Sequence, residues 1–204
     1  MNNHESIFSL DKENKKKQII EACLKIVDLY GIKGLTVAKI AKEVGFGESA
    51  LYRHFKSKRD IFLKILKEVS KLFVSIIEEA EGLNIRASQK LRLILERQCE
   101  ILQTYPGLIR VVYSDEIYMR DNFLLEKLNS FLSKLIGEIE KIIRQGIKEK
   151  IFRPEIDPYI TAINFFGIVQ ISFSYWMIKK RKTSLGFISK NLLSNFFEGI
   201  MVKI

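Results

Sequence analysis

The residues of this chain best placed to do chemistry sit close together, between Thr36 and Lys58, in the stretch LTVAKIAKEVGFGESALYRHFKSK that begins at Leu35. Their types suit hydrogen bonding to an anion and to base edges rather than bond making. Thr36 can accept from an orphan N–H at a helix start, and amide groups at a second helix start can meet a phosphate. Ser49, Ala50 and Arg53 fall on one side of that second helix, with Glu48 before them. Arg53 could clamp a guanine through O6 and N7, and Ala50 could meet a thymine methyl. Glu48 could accept from cytosine N4, although its charge also repels phosphates. Contacts of the first kind position a protein on a duplex, and contacts of the second kind specify sequence.

Other chemistries find little support. Gly45-Phe-Gly47-Glu-Ser-Ala50 reads as G-x-G-x-x-A, a dinucleotide-binding pattern, but it follows a helical pattern and no βαβ unit surrounds it. His4 and His54 are the only histidines and lie far from Cys23 and Cys99, so no metal set is visible. No nucleophile with a base and an orienting group can be assembled. The acids Asp115, Glu116, Glu138 and Glu140 read as solvated helix faces. No cofactor is expected, and the chain does not read as an enzyme.

The elements that must hold these residues follow from hydrophobic spacing. Val37, Ile40, Ala41 and Val44 give one apolar face to a short helix capped by Thr36. Gly45 ends it, because glycine enters the left-handed conformation without steric cost. Phe46 is an apolar plug in the turn. The second helix runs from about Glu48 to Phe55, with Leu51 and Phe55 facing inward. Ser57 to Asp60 opens the next helix with a capping-box-like pattern. Two helices joined by so short a turn form a helix-turn-helix, whose second member can enter a major groove.

At this point the chain resembles the tetracycline-repressor (TetR) family of bacterial transcription regulators. L-T-x-x-x-I-A-x-x-x-G at Leu35–Gly45 and L-Y-x-H-F-x-S-K at Leu51–Lys58 carry the resemblance, which covers about Lys15 to Glu68. It implies that Tyr52, His54, Lys56 and Lys58 touch the DNA backbone. Gly47 departs from the pattern, standing where the family usually has Ser or Thr. Ala38 likewise offers no long side chain toward DNA.

Around this stretch the chain reads as helices. Lys12, Lys15, Lys16 and Lys17 lead into a first helix that ends at Gly31; they suit a phosphate-touching arm and a solvated helix start equally. A helix from about Lys58 to Glu81 outruns the small domain, so a boundary is expected near Ser70. That gives an N-terminal DNA-binding domain over 1–70, with the helix-turn-helix at about 36–55, and a second domain over 71–204. Further helices are expected over about 85–104, from Pro106, over 121–150, 158–180 and 184–202. The fold class is all-α with nine helices, as the resemblance also implies. The helix from Ile160 to Ile178 is apolar nearly all round, and the last helix is strongly apolar, so a two-fold dimer across the two is expected. The family dimerises there as a four-helix interface.

Composition agrees. Of 204 residues, 47% are hydrophobic, enough for a sizeable core. The net charge of +10 favours an acidic partner, which nucleic acid, a membrane surface or an acidic ligand could supply. Cys23 and Cys99 read as buried, reduced thiols of a cytoplasmic protein. The polar N-terminus shows no secretory signal, and no apolar stretch is expected to span a membrane.

The resemblance also implies an effector pocket in the second domain, with Arg110, Tyr113, Tyr118, Phe166, Gln170, Phe173 and Trp176 as candidate lining. Gln170, an amide on an apolar helix, needs a partner from a ligand, a dimer mate or a backbone carbonyl. The expected function is therefore a homodimeric repressor that binds a roughly palindromic operator in double-stranded DNA. A small apolar or amphipathic effector would release it by changing the separation of the two small domains. The alternative is a DNA-binding protein of the same fold governed by a protein partner.

Overall fold

A computed structural model describes residues 14–45, 47–114 and 121–202; the side chains of residues 14–16, Ala50, Arg53 and His54 lie outside that description. Nine α-helices are present among the described residues: α1 Asn14–Tyr30, α2 Val37–Val44, α3 Glu48–His54, α4 Lys58–Gly82, α5 Ala87–Thr104, α6 Gly107–Val112, α7 Asn122–Lys148, α8 Pro158–Ile178 and α9 Leu185–Ile200. A 3-10 turn, Ile32–Gly34, joins α1 to α2. No strand occurs among the described residues; Phe152 and Met201 form one isolated bridge. The all-α class and the N-terminal helix-turn-helix stand as expected.

The chain forms two compact units. One holds the N-terminal part as far as Leu72 together with Tyr105–Asn129; the other holds Phe73–Thr104 and Ser130–Ile204. The segment Tyr105–Asn129 thus belongs with the first unit, although it follows Ser70 in sequence.

In the first unit, α1 packs against both α2 and α6. Ile19, Ile20, Cys23, Leu24 and Val27 of α1 are buried, as are Ile40, Ala41, Leu51, Phe55, Ile61 and Ile65. Gly107 is required where α6 meets α1: a Cβ there would stand 2.1 Å from the Leu24 carbonyl oxygen. Before α4, the Asp60 N–H donates to Ser57 Oγ at 3.1 Å. The Asp60 carboxylate accepts from the Lys56 N–H at 2.9 Å, so the expected capping box forms with its return bond one residue further back.

In the second unit, α9 packs on α8 and α5, and α5 packs on α8. Phe152, Phe165, Phe173, Leu135, Ile139 and Leu193 form its centre. Phe152 lies over Gly146, where a Cβ would stand 2.1 Å from the ring. Lys90 is buried, and its ammonium donates at 2.9 Å to the Glu81 carbonyl near the end of α4.

Helix α8 carries two apolar faces. Thr161, Ala162, Phe165, Val169, Ser172, Phe173 and Trp176 are buried. Ile160, Ile163, Ile171, Tyr175 and Ile178 are exposed, and their spacing puts them on the opposite side. By length and composition alone, Pro158–Ile178 is long and apolar enough to cross a membrane, with a mean hydropathy of 1.2 over an 18-residue window. Its buried face packs on α5 and α9, and 39% of that window is buried.

Candidate nucleic-acid interface

Helices α2 and α3 hold the candidate residues. Thr36 caps α2, its Oγ1 accepting from the Lys39 N–H at 3.3 Å. Gly45 closes α2 with φ 71, ψ 25, the left-handed conformation that glycine adopts freely. Gly47 begins α3 in extended conformation, φ −70 and ψ 148, without a side-chain cap. A Cβ at Gly47 would meet only Ser49 Oγ, at 3.9 Å. The start of α3 therefore has room for a side chain and carries uncapped amides that point outward along its axis.

One side of α3 is used for packing and the other is free. Leu51 and Phe55 are 2% and 6% exposed, while Tyr52 is 54% exposed and Glu48 and Ser49 are exposed. Ala50, Arg53 and His54 have their backbone in α3, but their side chains lie outside the described residues, as does Phe46. Lys56 and Lys58 are exposed at the junction with α4. Lys58 Nζ stands 6.0 Å from the Phe62 ring centroid, a contact that leaves its charge on the surface. The acid Glu48 occupies the first turn, where the helix dipole favours a negative charge, so its carboxylate has a stabilising role besides any base contact.

Contacts that the linear sequence did not reveal fix this module. Lys25 of α1 pairs with Glu43 of α2 at 2.5 Å. Lys39 Nζ stands 4.2 Å from the Tyr30 ring centroid. Arg59, in the first turn of α4, grips Asp121 with two bonds: Nε to Oδ2 at 2.7 Å and Nη2 to Oδ1 at 2.9 Å. The same guanidinium lies 5.0 Å from the Phe123 ring centroid. Asp121 also caps α7 by accepting from the Leu124 N–H at 3.1 Å. Residues 59 and 121 share no local pattern, so only the fold brings them together.

The candidate effector residues are divided between the units. Arg110 is exposed and Tyr113 half-buried in the first unit. Burial pushes the Tyr113 hydroxyl up to about 12, so it stays a neutral donor. In the second unit Phe173 and Trp176 are buried with ring centroids 5.7 Å apart, and Phe166 is half-buried. Gln170 is exposed on α8, so within a protomer its amide meets water and needs no buried partner. Tyr118 lies outside the described residues. A cavity of about 290 Å³ in the second unit is lined by Arg92, Cys99, Gln103, Ser189, Lys190 and Leu193 among others, and by none of these candidates. Cys23 and Cys99 are both free and buried; burial pushes the Cys23 thiol up to about 12 and raises that of Cys99.

A capped short helix, a left-handed glycine turn and a second helix with one free polar side define a helix-turn-helix DNA-binding protein. Residues 19–65 match the family of bacterial regulatory proteins called tetR, and residues 66–199 match the C-terminal region of YsiA-like proteins. The chain belongs to the tetR family of bacterial regulatory proteins and is a DNA-binding transcriptional regulator. It is 26% identical to the fatty acid metabolism regulator protein of Bacillus subtilis (strain 168), over 93% of this chain and 97% of that one. It is 30% identical to the nucleoid occlusion factor SlmA of Vibrio cholerae serotype O1, over 80% of this chain and 84% of that one. Among solved structures it resembles the transcriptional regulator FadR from Bacillus subtilis in complex with stearoyl-CoA. That likeness has a TM-score of 0.78 and 25% identity, covering 91% of this chain and 99% of the other.

Proposed function

We propose that this protein is a cytoplasmic, homodimeric repressor that a long-chain acyl-CoA releases from a roughly palindromic operator. Residues 1–70 carry DNA binding, and residues 71–204 carry effector binding and dimerisation. Base readout falls to Ser49, Ala50 and Arg53 with Glu48. Thr36, the start of α3 at Gly47, Tyr52, His54, Lys56 and Lys58 hold phosphates. The observation that carries the DNA reading is the division of α3 into a buried Leu51–Phe55 side and an exposed Ser49–Tyr52 side.

The dimer reading rests on the open apolar stripe of α8, with Ile160, Ile163, Ile171 and Ile178 at 52%, 38%, 54% and 75% exposure. A second copy covers such a stripe at little cost and removes it from water. The acyl-CoA reading is supported by likeness along nearly the whole chain to a regulator of fatty acid metabolism and to the structure of FadR in complex with stearoyl-CoA. An effector acts by binding one spacing of the two small domains better than the other.

Selection of bound sites from random DNA, with and without stearoyl-CoA, tests the proposal. One inverted repeat should be recovered, and stearoyl-CoA should reduce its recovery. Recovery of unrelated sequences would overturn the operator assignment. A second reading, control by a protein partner, is kept because the chain is also similar to SlmA, which is named a nucleoid occlusion factor and not a metabolic regulator. Recovery of one operator with indifference to every acyl-CoA tried would support that reading over the first.

A further inference from the structure

Two polar side chains in the second unit break a rule that their neighbours obey. Gln98 lies on the inward stripe of α5 with Leu91, Ile94 and Leu102, and it is 1% exposed. Ser172, on the buried face of α8, is 0% exposed. Neither amide atom of Gln98 has a hydrogen-bond partner, and nor does the Ser172 hydroxyl. The other buried polar side chains described in this unit are satisfied. Thr161 Oγ1 donates to the Asp157 carbonyl at 2.7 Å, Ser189 Oγ to the Gly186 carbonyl at 3.2 Å and Lys90 Nζ to the Glu81 carbonyl at 2.9 Å. An unpaired buried carboxamide costs free energy, and such a cost is tolerated where a bound molecule removes it.

We infer that Gln98 and Ser172 are the polar anchor of the effector site and take the thioester end of an acyl chain carried on a pantetheine arm. This inference rests on the acyl-CoA reading above. A carboxamide offers one donor face and one acceptor face. An acyl thioester presents a carbonyl acceptor, and the first amide of the pantetheine arm presents an N–H two methylenes beyond the sulfur. Nε2 of Gln98 donates to the first and Oε1 accepts from the second, and the Ser172 hydroxyl offers a further neutral donor on the buried face of α8. Neutral groups suit a neutral ligand end. Among the described residues of this unit the buried cation is Lys90, and its ammonium already serves the Glu81 carbonyl. A free carboxylate would enter without a counter-charge, so a fatty acid is the wrong ligand.

The test uses the full chain and calorimetric titration with stearoyl-CoA, with S-octadecyl-CoA (a thioether lacking the carbonyl) and with stearate. Wild type should bind stearoyl-CoA tightest. Gln98→Met, which conserves volume, should weaken stearoyl-CoA by roughly 5- to 100-fold and weaken the thioether by less. The ligand-free Gln98→Met protein should melt higher than wild type, because the orphaned amide is gone. Ser172→Ala provides a smaller change with the same sign in affinity. No binding of stearoyl-CoA by wild type would overturn the acyl-CoA reading and this inference with it. Tight binding by wild type and equally tight binding by both variants would overturn the inference alone. A lower melting point in Gln98→Met with unchanged affinity would make Gln98 a structural residue and also overturn it. Stearate binding as tightly as stearoyl-CoA would do the same.

Discussion

Asp121 does two separable things, and two substitutions tell them apart. Its carboxylate pairs with Arg59 by two bonds at 2.7 and 2.9 Å, and it caps α7 through the Leu124 N–H at 3.1 Å. Asp121→Asn removes the charge and keeps an oxygen for the cap; Asp121→Ala removes both. The ion pair is only partly sheltered, since the Arg59 side chain is 49% exposed and that of Asp121 23%. Solvent screening therefore holds the pair to about 0.5–1 kcal/mol, even with fork geometry. Loss of the cap adds about 1 kcal/mol. Asp121→Asn should then cost about 0.5–1 kcal/mol and Asp121→Ala about 1.5–2 kcal/mol by the same bookkeeping. In melting temperature that is a few degrees against roughly twice as many, at about 2–4 °C per kcal/mol. Urea titration at low and high salt is the assay. The Asn deficit should shrink with salt, while the difference between Asn and Ala should not. Equal losses in the two variants would refute the cap, and an Asn deficit that ignores salt would refute the ion pair. A cycle with Arg59→Gln isolates the coupling, which should vanish once Asp121 is Asn.

Gly107→Ala forces a methyl against the Leu24 carbonyl, 2.1 Å from its ideal position, and should cost about 1–3 kcal/mol in thermal melting; an unchanged melt would mean that α6 is not seated on α1. Gly47→Ser has space at the start of α3 and should add a few tenths of a kcal/mol by capping. It should also tighten operator binding about 2- to 10-fold by a new phosphate bond, and a stabilised protein with unaltered DNA affinity would count against phosphate contact there. Arg53→Ala should relax base choice at one operator position by about 1–3 kcal/mol, read by competition among single-base variants; uniform loss on every sequence would contradict base readout. Lys58→Ala should weaken all sequences alike and lower the salt slope by about 1, whereas an unaltered slope would remove Lys58 from the phosphate contacts.

Local chemistry wrote the reading head into the sequence. Thr36 as a cap, Gly45 as a left-handed stop, and Leu51 with Phe55 as the inward pair depend on neighbours within a few residues, so spacing alone predicts them. The helices followed for the same reason: α8 and α9 start within one residue of the expected Pro158 and Ser184, at the caps Asp157 and Ser184, and end two residues before the expected Lys180 and Val202. Which polar side chains the fold buries was not legible in this way. Gln170 stood out as a polar residue on an apolar helix, yet it is exposed, because α8 has two apolar faces and periodicity does not say which one the protomer buries. Gln98 attracted no notice, because a glutamine in a helix is ordinary until its surroundings are known. Arg59 and Asp121 were equally silent, separated by 62 residues. Sequence determined what a residue does for its own turn of helix. The packing of distant helices decided which polar groups are left without water and which charges meet, since burial and pairing belong to neighbours in space.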